Sequence, residues 1–277
     1  MTQENAASAA SGPGSDSLPG PVVAGPAVPE EPADAAIRLF GERLPIAARY
    51  AELLVTDGVV RGLIGPREAP RIWERHLLNC ATVAELIPPG AAVLDIGSGA
   101  GLPGIVLAIA RPDLTVGLIE PLARRTSFLS EVVSELDLTG TVRVVRARAE
   151  EVRLESPEVP GPADIVTARA LAPLDRLVGW CLPLTAVGGR LLALKGASAV
   201  EEVAEHRDGI VRLGGAAPVV RRCGVGLVDP PTTVVEIVRD RVVAHGGNRG
   251  GAKRSSRPDR SRHRGSGSTE GLGRGRR

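Results

Sequence analysis

Hydrophobic residues in the middle of the chain alternate between short runs and helical spacing. Short apolar runs predict strands at 92–96, 114–120, 141–145, 163–168 and 190–194. Helical spacing predicts the intervening helices at 102–110, 123–136, 174–184 and 200–206. Two further runs, 219–228 and 232–238, are joined by Asp229-Pro230-Pro231, which is too short for a crossover helix. The pattern predicts an α/β fold with a seven-stranded, mostly parallel sheet that ends in an antiparallel hairpin.

The segment before this sheet reads as helical. Apolar residues at helical spacing over 35–64, interrupted by Pro45 and Gly58, predict two or more helices, and 71–86 predicts another that stops at Pro88. Both ends of the chain lack apolar periodicity. We therefore expect a disordered tail at 1–34, a helical cap at 35–90, a sheet domain at 91–243 and a disordered basic tail at 244–277.

A glycine-rich turn follows the first predicted strand. Residues 91–104 read AAVLDIGSGAGLPG, which is the order strand, turn, helix. Glycine permits positive φ and leaves room for a ligand near the backbone and the start of a helix. Pro103 suits the first helical turn. This unit is typical of nucleotide-binding α/β sheets, and a purely structural tight turn is the alternative.

Two ligands fit the glycine spacing. Gly99-x-Gly101-x-x-Gly104 matches the dinucleotide pattern, but the strand ends earlier, at Gly97. Measured from the strand, Asp95-x-Gly97-x-Gly99-x-Gly101 resembles motif I of the class I S-adenosylmethionine methyltransferases, a Rossmann-like fold. The terminal hairpin also favours S-adenosylmethionine over NAD, because a typical dehydrogenase sheet stays parallel.

Composition and charge restrict the function further. Of 277 residues, 43% are hydrophobic and only 2% aromatic, and the three cysteines form no CxxC or metal spacing. No signal peptide or uninterrupted run of 18 apolar residues is present, so we expect a reduced, cytoplasmic protein without a metal or a membrane span. Residues 1–34 hold five acids and no base, whereas 241–277 hold eleven Lys or Arg against two acids. The basic tail could bind RNA phosphates or merely aid solubility.

Candidate cofactor residues follow the strands. Glu120 ends strand two, where a carboxylate can accept both hydroxyls of a ribose, or be a solvated acid. Asp95 could reach a ligand amine or orient the loop backbone. Backbone N–H groups at Ala149 or Glu150, after strand three, could read an adenine edge, or they belong to an acid-rich helix start.

Further candidates lie after strands four and five. Arg169, just past strand four, lies where cofactor and substrate meet in such sheets, with a surface ion pair as the alternative. Lys195 holds the equivalent place after strand five, and a solvated lysine fits equally well. Asp229-Pro230-Pro231-Thr232 resembles a motif of amino-group methyltransferases. It has threonine in place of the required aromatic and lies in the terminal hairpin, so we interpret it as a turn.

Four segments together resemble one family. They are Trp73–Leu78 (WERHLL), Asp95–Gly104 (DIGSGAGLPG), Thr167–Ala170 (TARA) and Leu192–Gly196 (LALKG). Over roughly 35–240 the chain resembles the bacterial guanine-N7 methyltransferases of small-subunit ribosomal RNA, also called glucose-inhibited division protein B. The resemblance implies an S-adenosylmethionine-dependent enzyme that methylates N7 of a guanosine in the decoding-region loop of 16S rRNA. By the same resemblance, the cofactor contacts map to Gly97, Leu102, Glu120, Ala149, Glu150 and Arg169.

The predicted chemistry needs no general base, since guanine N7 has a lone pair and no proton to lose. We expect no catalytic side chain, and we expect the rate enhancement to come from alignment of N7, the methyl group and the sulfur.

His76 could touch RNA, although a hydrogen-bonded structural role is favoured. Asn79-Cys80 replaces the Asp-Ser common in the family, a change we interpret as structural.

We expect a monomer that acts on 16S rRNA or the small subunit. A methyltransferase for a small molecule or a protein, a non-catalytic RNA-binding module and an NAD enzyme are the alternatives.

Overall fold

The computed structural model describes residues 33–156, 159 and 161–243. The first helix begins at Ala33, two residues before the expected boundary. The rest of the predicted N-terminal tail and the whole of the predicted basic tail lie outside the described residues. The described chain through Val243 forms one compact unit.

Helices build the part of the chain before the sheet, as predicted. The α-helices here are α1 (Ala33–Phe40), α2 (Leu44–Leu53) and the short α3 (Asn79–Ala81). Single turns of π-helix occupy Leu54–Gly58 and Trp73–Leu78, and 3₁₀ turns occupy Gly41–Arg43, Ala69–Arg71 and Thr82–Leu86. The predicted helix over 71–86 is therefore helical almost throughout, with α3 between a π turn and a 3₁₀ turn.

In the described part of the chain, seven strands form a single sheet. They are β1 (Ala92–Ile96), β2 (Thr115–Ile119), β3 (Val142–Val145), β4 (Ala163–Arg169), β5 (Thr185–Lys195), β6 (Val219–Cys223) and β7 (Thr232–Val238). The spatial order is β3-β2-β1-β4-β5-β7-β6. Strands β1 to β5 are parallel, and β7 is antiparallel to both β5 and β6. The predicted mixed sheet of a class I methyltransferase fold is confirmed.

Helices cover both faces of the sheet, so the strands are apolar on both sides. The sheet helices are α4 (Gly104–Ala110), α5 (Ala123–Glu135), α6 (Leu174–Cys181) and α7 (Ala199–Arg212). One core joins α1, α2 and the segment 72–87 to α4, α5 and one face of the sheet. A second core packs α6 and α7 on the other face. Along β1, Val93 enters the first core while Leu94 and Ile96 enter the second.

The largest differences from the predicted boundaries concern β5, β6 and α7. Strand β5 starts at Thr185 and runs through Gly188 and Gly189 instead of beginning after them. A Cβ at Gly189 would lie 2.7 Å from the Asp164 carbonyl oxygen, so glycine here allows close strand approach at an irregularity in the register. Strand β6 ends at Cys223, not Val228, because the chain turns at Gly224, with φ of +72°.

Helix α7 also differs from the expected 200–206, since it continues to Arg212. The added turns bury Ile210 against the second core, which offsets the low helix propensity of Gly209. Within the described residues, no helix combines the length and the apolar character that crossing a bilayer requires.

Candidate active site

The glycine loop after β1 needs its glycines for backbone geometry. Gly97, Gly99 and Gly101 have φ of +70°, +59° and +100°. Backbone N–H groups of Gly97 and Ser98 donate to the Ile119 carbonyl oxygen at 2.9 and 3.2 Å, which fixes the loop against β2. Helix α4 begins at Gly104. Pro103 therefore lies just before the helix, and not in its first turn as the sequence predicted.

The side chain of Asp95, near the end of β1, holds this loop in place. The side chain is buried, its Oδ2 accepts the Gly104 N–H at 3.1 Å, and its Oδ1 accepts the Thr167 hydroxyl at 2.9 Å. Burial raises the pKa of Asp95 to about 6, although these hydrogen bonds oppose the shift. Of the two roles predicted for Asp95, the geometry supports orientation of the loop backbone.

Glu120 lies directly beyond β2 and is 1% exposed, so it is not a solvated acid. Its Oε2 accepts the Gly99 N–H at 3.0 Å and its Oε1 accepts the Leu122 N–H at 3.1 Å. The Arg125 guanidinium lies 3.6 Å from Oε2. An ionised carboxylate has about four acceptor positions. The two remaining positions match the two hydroxyls of a ribose, and Glu120 lines a cavity of about 440 Å³.

Three cavities meet at Gly97 and Leu171. Their volumes are about 440, 190 and 390 Å³, and both residues line all three. Leu171 is 37% exposed, and its Cδ1 would lie 2.6 Å from a Cβ at Gly97. The Leu171 side chain therefore packs against Gly97 at the point where the three cavities adjoin. Sequence reasoning missed Leu171; an apolar residue directly after the Thr167–Ala170 segment was the available signal.

The smallest of these cavities is lined mostly by apolar residues. Ile96 and Ile119 line it from the sheet, and Trp180 lines it from α6, with the Arg176 guanidinium 5.2 Å from the Trp180 ring centre. Ala149 and Glu150, in a single 3₁₀ turn, form another wall. This lining suits an aromatic ring between apolar side chains, next to the backbone that the sequence assigned to adenine.

Arg169 connects the sheet to the N-terminal helices. It is the last residue of β4 rather than a residue beyond it, and it lines the 390 Å³ cavity together with Leu102 and the glycine loop. Its guanidinium donates to Cys80 Sγ at 3.2 Å, to the Arg75 carbonyl oxygen at 3.1 Å and to His76 Nδ1 at 2.7 Å. All three contacts are hydrogen bonds to uncharged acceptors, so they do not form the surface ion pair that was the alternative from the sequence.

His76 is a hydrogen-bonded histidine, as favoured from the sequence. Since a guanidinium only donates, Nδ1 must accept from Arg169, and Nε2–H then donates to Glu68 at 3.2 Å. Burial, followed by the charge of Arg169, lowers the pKa of His76 to about 4. His76 lies in the π turn Trp73–Leu78. Such turns recur at functional sites.

A fourth cavity, of about 560 Å³, opens on the other side of Arg169 and Ala170. We call it the Pro-Pro cleft, because Pro230 and Pro231 form one wall. Lys195 also lines it, and its Nζ donates to the Ala172 carbonyl oxygen at 3.0 Å and to Glu202 at 2.8 Å. The solvated lysine considered from the sequence is therefore wrong.

Asn79 and Cys80, which depart from the family pattern, occupy different environments. Asn79 lines the Pro-Pro cleft, and its Oδ1 accepts the Thr232 hydroxyl at 3.1 Å. Cys80 is fully buried beneath Arg169. These contacts support the structural interpretation, because both side chains join the helical segment to the ends of strands.

The predicted cofactor residues converge on the three cavities around Leu171. All six line at least one of them: Gly97, Leu102, Glu120, Ala149, Glu150 and Arg169. Tyr50 and Arg125 were not anticipated; Tyr50 is buried and donates to the Ala100 carbonyl oxygen at 2.7 Å. Across the described residues, no three His, Cys, Asp or Glu side chains cluster as a metal site would require.

The family model and the relatives of similar sequence carry the same name. The family model described as rRNA small subunit methyltransferase G matches residues 43–225. Proteins named ribosomal RNA small subunit methyltransferase G from Salinispora tropica and Thermobifida fusca are 68% and 61% identical to the chain over 228 and 206 residues. These alignments cover 82% and 74% of this chain, and 93% and 84% of the relatives. Among solved structures, a mitomycin 7-O-methyltransferase is similar at a TM-score of 0.48 and 18% identity, over 76% of this chain and 66% of that one. The chain belongs to the rRNA small subunit methyltransferase G family.

Proposed function

We propose that this protein transfers a methyl group from S-adenosylmethionine to N7 of one guanosine in 16S rRNA. The observation that supports it most is the buried Glu120 carboxylate beside the glycine loop, within cavities that meet at Gly97. Membership of the family supplies the reaction and the RNA, and the N7 specificity follows from the family resemblance.

The residues present fit S-adenosylmethionine. Glu120 has acceptor capacity left for the ribose hydroxyls, and the apolar cavity beside Ala149 and Glu150 suits the adenine. The guanidinium of Arg169 carries its charge beside the glycine loop, and its three acceptors are uncharged. We assign to Arg169 the cofactor carboxylate, which would compensate this partly buried charge. When bound, the cofactor supplies a methyl group on a positively charged sulfur.

The chain's own contribution is position rather than proton transfer. Guanine N7 has no proton, so no side chain has to accept one. His76 would be poorly suited to that task, because Arg169 and Glu68 occupy its two ring nitrogens. Asp95 and Glu120 hold the glycine loop, and the Leu171 side chain packs against Gly97, where it would limit access of water to a bound cofactor. Alignment of this kind can supply several kcal/mol of a reaction barrier, roughly 7–11 in favourable intramolecular cases.

We propose that the protein acts in the cytoplasm as a monomer, on 16S rRNA or on the small subunit. A flipped or unstacked guanosine is required, which single-stranded loops of RNA provide at low cost. A methyltransferase for a metabolite or a protein is the competing candidate, and activity on such substrates but not on RNA would favour it.

One labelling experiment tests the proposal. The purified protein is given radiolabelled S-adenosylmethionine and 16S rRNA or small subunits from a strain that lacks the gene, and label is mapped by cleavage at N7-methylguanosine. We expect label at a single guanosine. The matched control is the same RNA from the parent strain, which should accept little label because its site is already methylated. Cofactor binding without label on RNA or subunits would refute the RNA substrate.

A further inference from the structure

The Pro-Pro cleft lies beside the cofactor cavities and shares their boundary. Arg169 and Ala170 line both the cleft and the 390 Å³ cavity that contains the glycine loop. Ala170 has φ of +50°, a left-handed conformation that is costly for a residue with a Cβ. Such strain is concentrated at functional sites. The cleft measures about 560 Å³, within the range of about 300–1,000 Å³ typical of small-ligand sites.

The charges that line the cleft are all positive. Arg75, Arg169, Lys195 and Arg222 contribute to its walls, and none of the described lining residues is acidic. Glu68 compensates Arg75 at 3.1 Å and Glu202 compensates Lys195 at 2.8 Å. Arg222 instead donates to the hydroxyl of Thr233 at 2.8 Å. A guanidinium whose acceptor is an uncharged hydroxyl retains donors for an anion.

Sheet register places three of these polar side chains in one row. Lys195 on β5 pairs with Thr233 on β7, and Thr233 pairs with Arg222 on β6. Paired residues point to the same face of a sheet, and neighbouring strands lie about 4.8 Å apart. The backbones of Lys195 and Arg222 are therefore about 10 Å apart, with the Thr233 hydroxyl between them. Leu194, Pro230 and Pro231 add apolar side chains to the lining of the cleft.

We propose that the Pro-Pro cleft receives the target nucleotide of the RNA, with Arg222 as a contact to a backbone phosphate and Pro230-Pro231 as an apolar wall for the base. The assignment deepens the proposed function and rests on it. It places the segment Asp229-Pro230-Pro231-Thr232 at the substrate. The sequence pattern alone is interpreted as a turn. The turn comes from the terminal hairpin, yet it faces the end of β4 across the cleft.

The test substitutes Arg222 and compares the RNA kinetics with a matched control. Arg222→Gln removes the phosphate donor from an exposed side chain of an edge strand, and Arg222→Lys keeps the charge. Arg207→Gln makes the same charge change on the exposed face of α7, away from the cavities described. Binding of S-adenosylmethionine is measured by calorimetry, methylation of gene-deleted 16S rRNA as kcat and KM, and RNA binding over a salt series.

For Arg222→Gln we expect KM for RNA to rise at least about tenfold, with kcat and cofactor affinity within about twofold of wild type. The slope of log affinity against log salt should fall by about one, as loss of one phosphate contact predicts. Arg222→Lys should keep most of the slope, and Arg207→Gln should match wild type. If the wild type methylates RNA while Arg222→Gln leaves KM and the slope unchanged, the cleft assignment is overturned. If the wild type binds the cofactor but leaves RNA unmethylated, the proposed function fails and the assignment fails with it.

Discussion

Arg169 and His76 are 93 positions apart in the chain, yet the Arg169 guanidinium donates to His76 Nδ1 at 2.7 Å. The two residues belong to two of the segments that carry the family resemblance. Their contact joins the end of β4 to the π turn of the helical segment, and Glu68 completes the chain of hydrogen bonds through His76 Nε2. The segments thus act as one unit that sets the orientation of Arg169.

Replacing His76 should change the pH dependence of stability. The folded pKa of about 4 lies below the ordinary value of 6.5, so the unfolded chain binds more protons between these pH values. The neutral histidine therefore contributes stability above pH 6.5 that is lost as pH falls toward 4. We expect the destabilisation by His76→Gln, measured by urea unfolding, to be largest above pH 6.5 and to shrink toward pH 4. His206→Gln is the control, and a destabilisation that does not vary with pH would contradict the assignment.

Glu120 and Glu150 should respond differently to the same substitution. Glu120→Gln turns an NH₂ group toward one of the two backbone N–H donors that the carboxylate now accepts. We expect affinity for S-adenosylmethionine to fall roughly 10- to 100-fold, as for loss of charged hydrogen bonds. Glu150→Gln should leave the affinity unchanged, because the predicted contact there is a backbone N–H. Calorimetry on both variants checks this, and equal losses would indicate that the side chain of Glu150 also takes part.

Alanine substitutions at Gly97 and Gly62 distinguish the effect of steric crowding from the effect of backbone strain. Both have positive φ, +70° and +67°, but a Cβ at Gly62 would have no atom within 4 Å. Each alanine variant should lose about 1–2 kcal/mol of unfolding free energy from the left-handed conformation. Gly97→Ala should in addition displace Leu171 and weaken cofactor binding.

The double variant Gly97→Ala, Leu171→Ala tests the origin of that weakening. It should recover part of the cofactor affinity, since removing the Leu171 side chain removes the clash. Cofactor affinity that is equal in Gly97→Ala and Gly62→Ala would show that the contact between Gly97 and Leu171 does not matter for the site.

Tyr50→Phe should weaken both stability and the cofactor site. The buried Tyr50 hydroxyl donates to the Ala100 carbonyl oxygen at 2.7 Å, within the glycine loop. Leaving a buried carbonyl without its donor costs about 1–3 kcal/mol. Thr185→Val removes a comparable buried bond, from the Thr185 hydroxyl to the Cys181 carbonyl oxygen at 2.9 Å, far from the loop. Both variants should lower Tm, and only Tyr50→Phe should lower cofactor affinity; a loss of affinity in both would point to general destabilisation.

Local signals were sufficient to predict most of the sheet. Strands buried on both faces appear as short apolar runs, and the turn at Gly97 requires a conformation that glycine adopts most easily. The position of Glu120 could be predicted because it follows directly from the end of β2. Predictions based on breaker residues were less accurate, since Gly188 and Gly189 lie inside β5, where close approach of β4 requires them.

Long-range contacts account for the rest of the site. The sequence places an apolar Leu171 directly after the Thr167–Ala170 segment, but it does not indicate that this side chain contacts Gly97. It also does not indicate that Tyr50 reaches Ala100, or that Thr233 aligns Lys195 with Arg222. Each depends on register or packing between segments distant in the chain. Residue types at strand ends can therefore be assigned to a site from sequence, while their partners require the tertiary structure.

The shared core of the N-terminal helices and the sheet limits how this enzyme can be modified. Phe40, Tyr50 and Leu77 pack in the same cluster as Ile105 and Phe128. An exchange of the first helices for those of another methyltransferase, made to redirect substrate choice, would also replace part of the hydrophobic layer that supports α4 and the glycine loop. Recombination between such enzymes should therefore succeed only when α4 and α5 are transferred together with the helices that cover them.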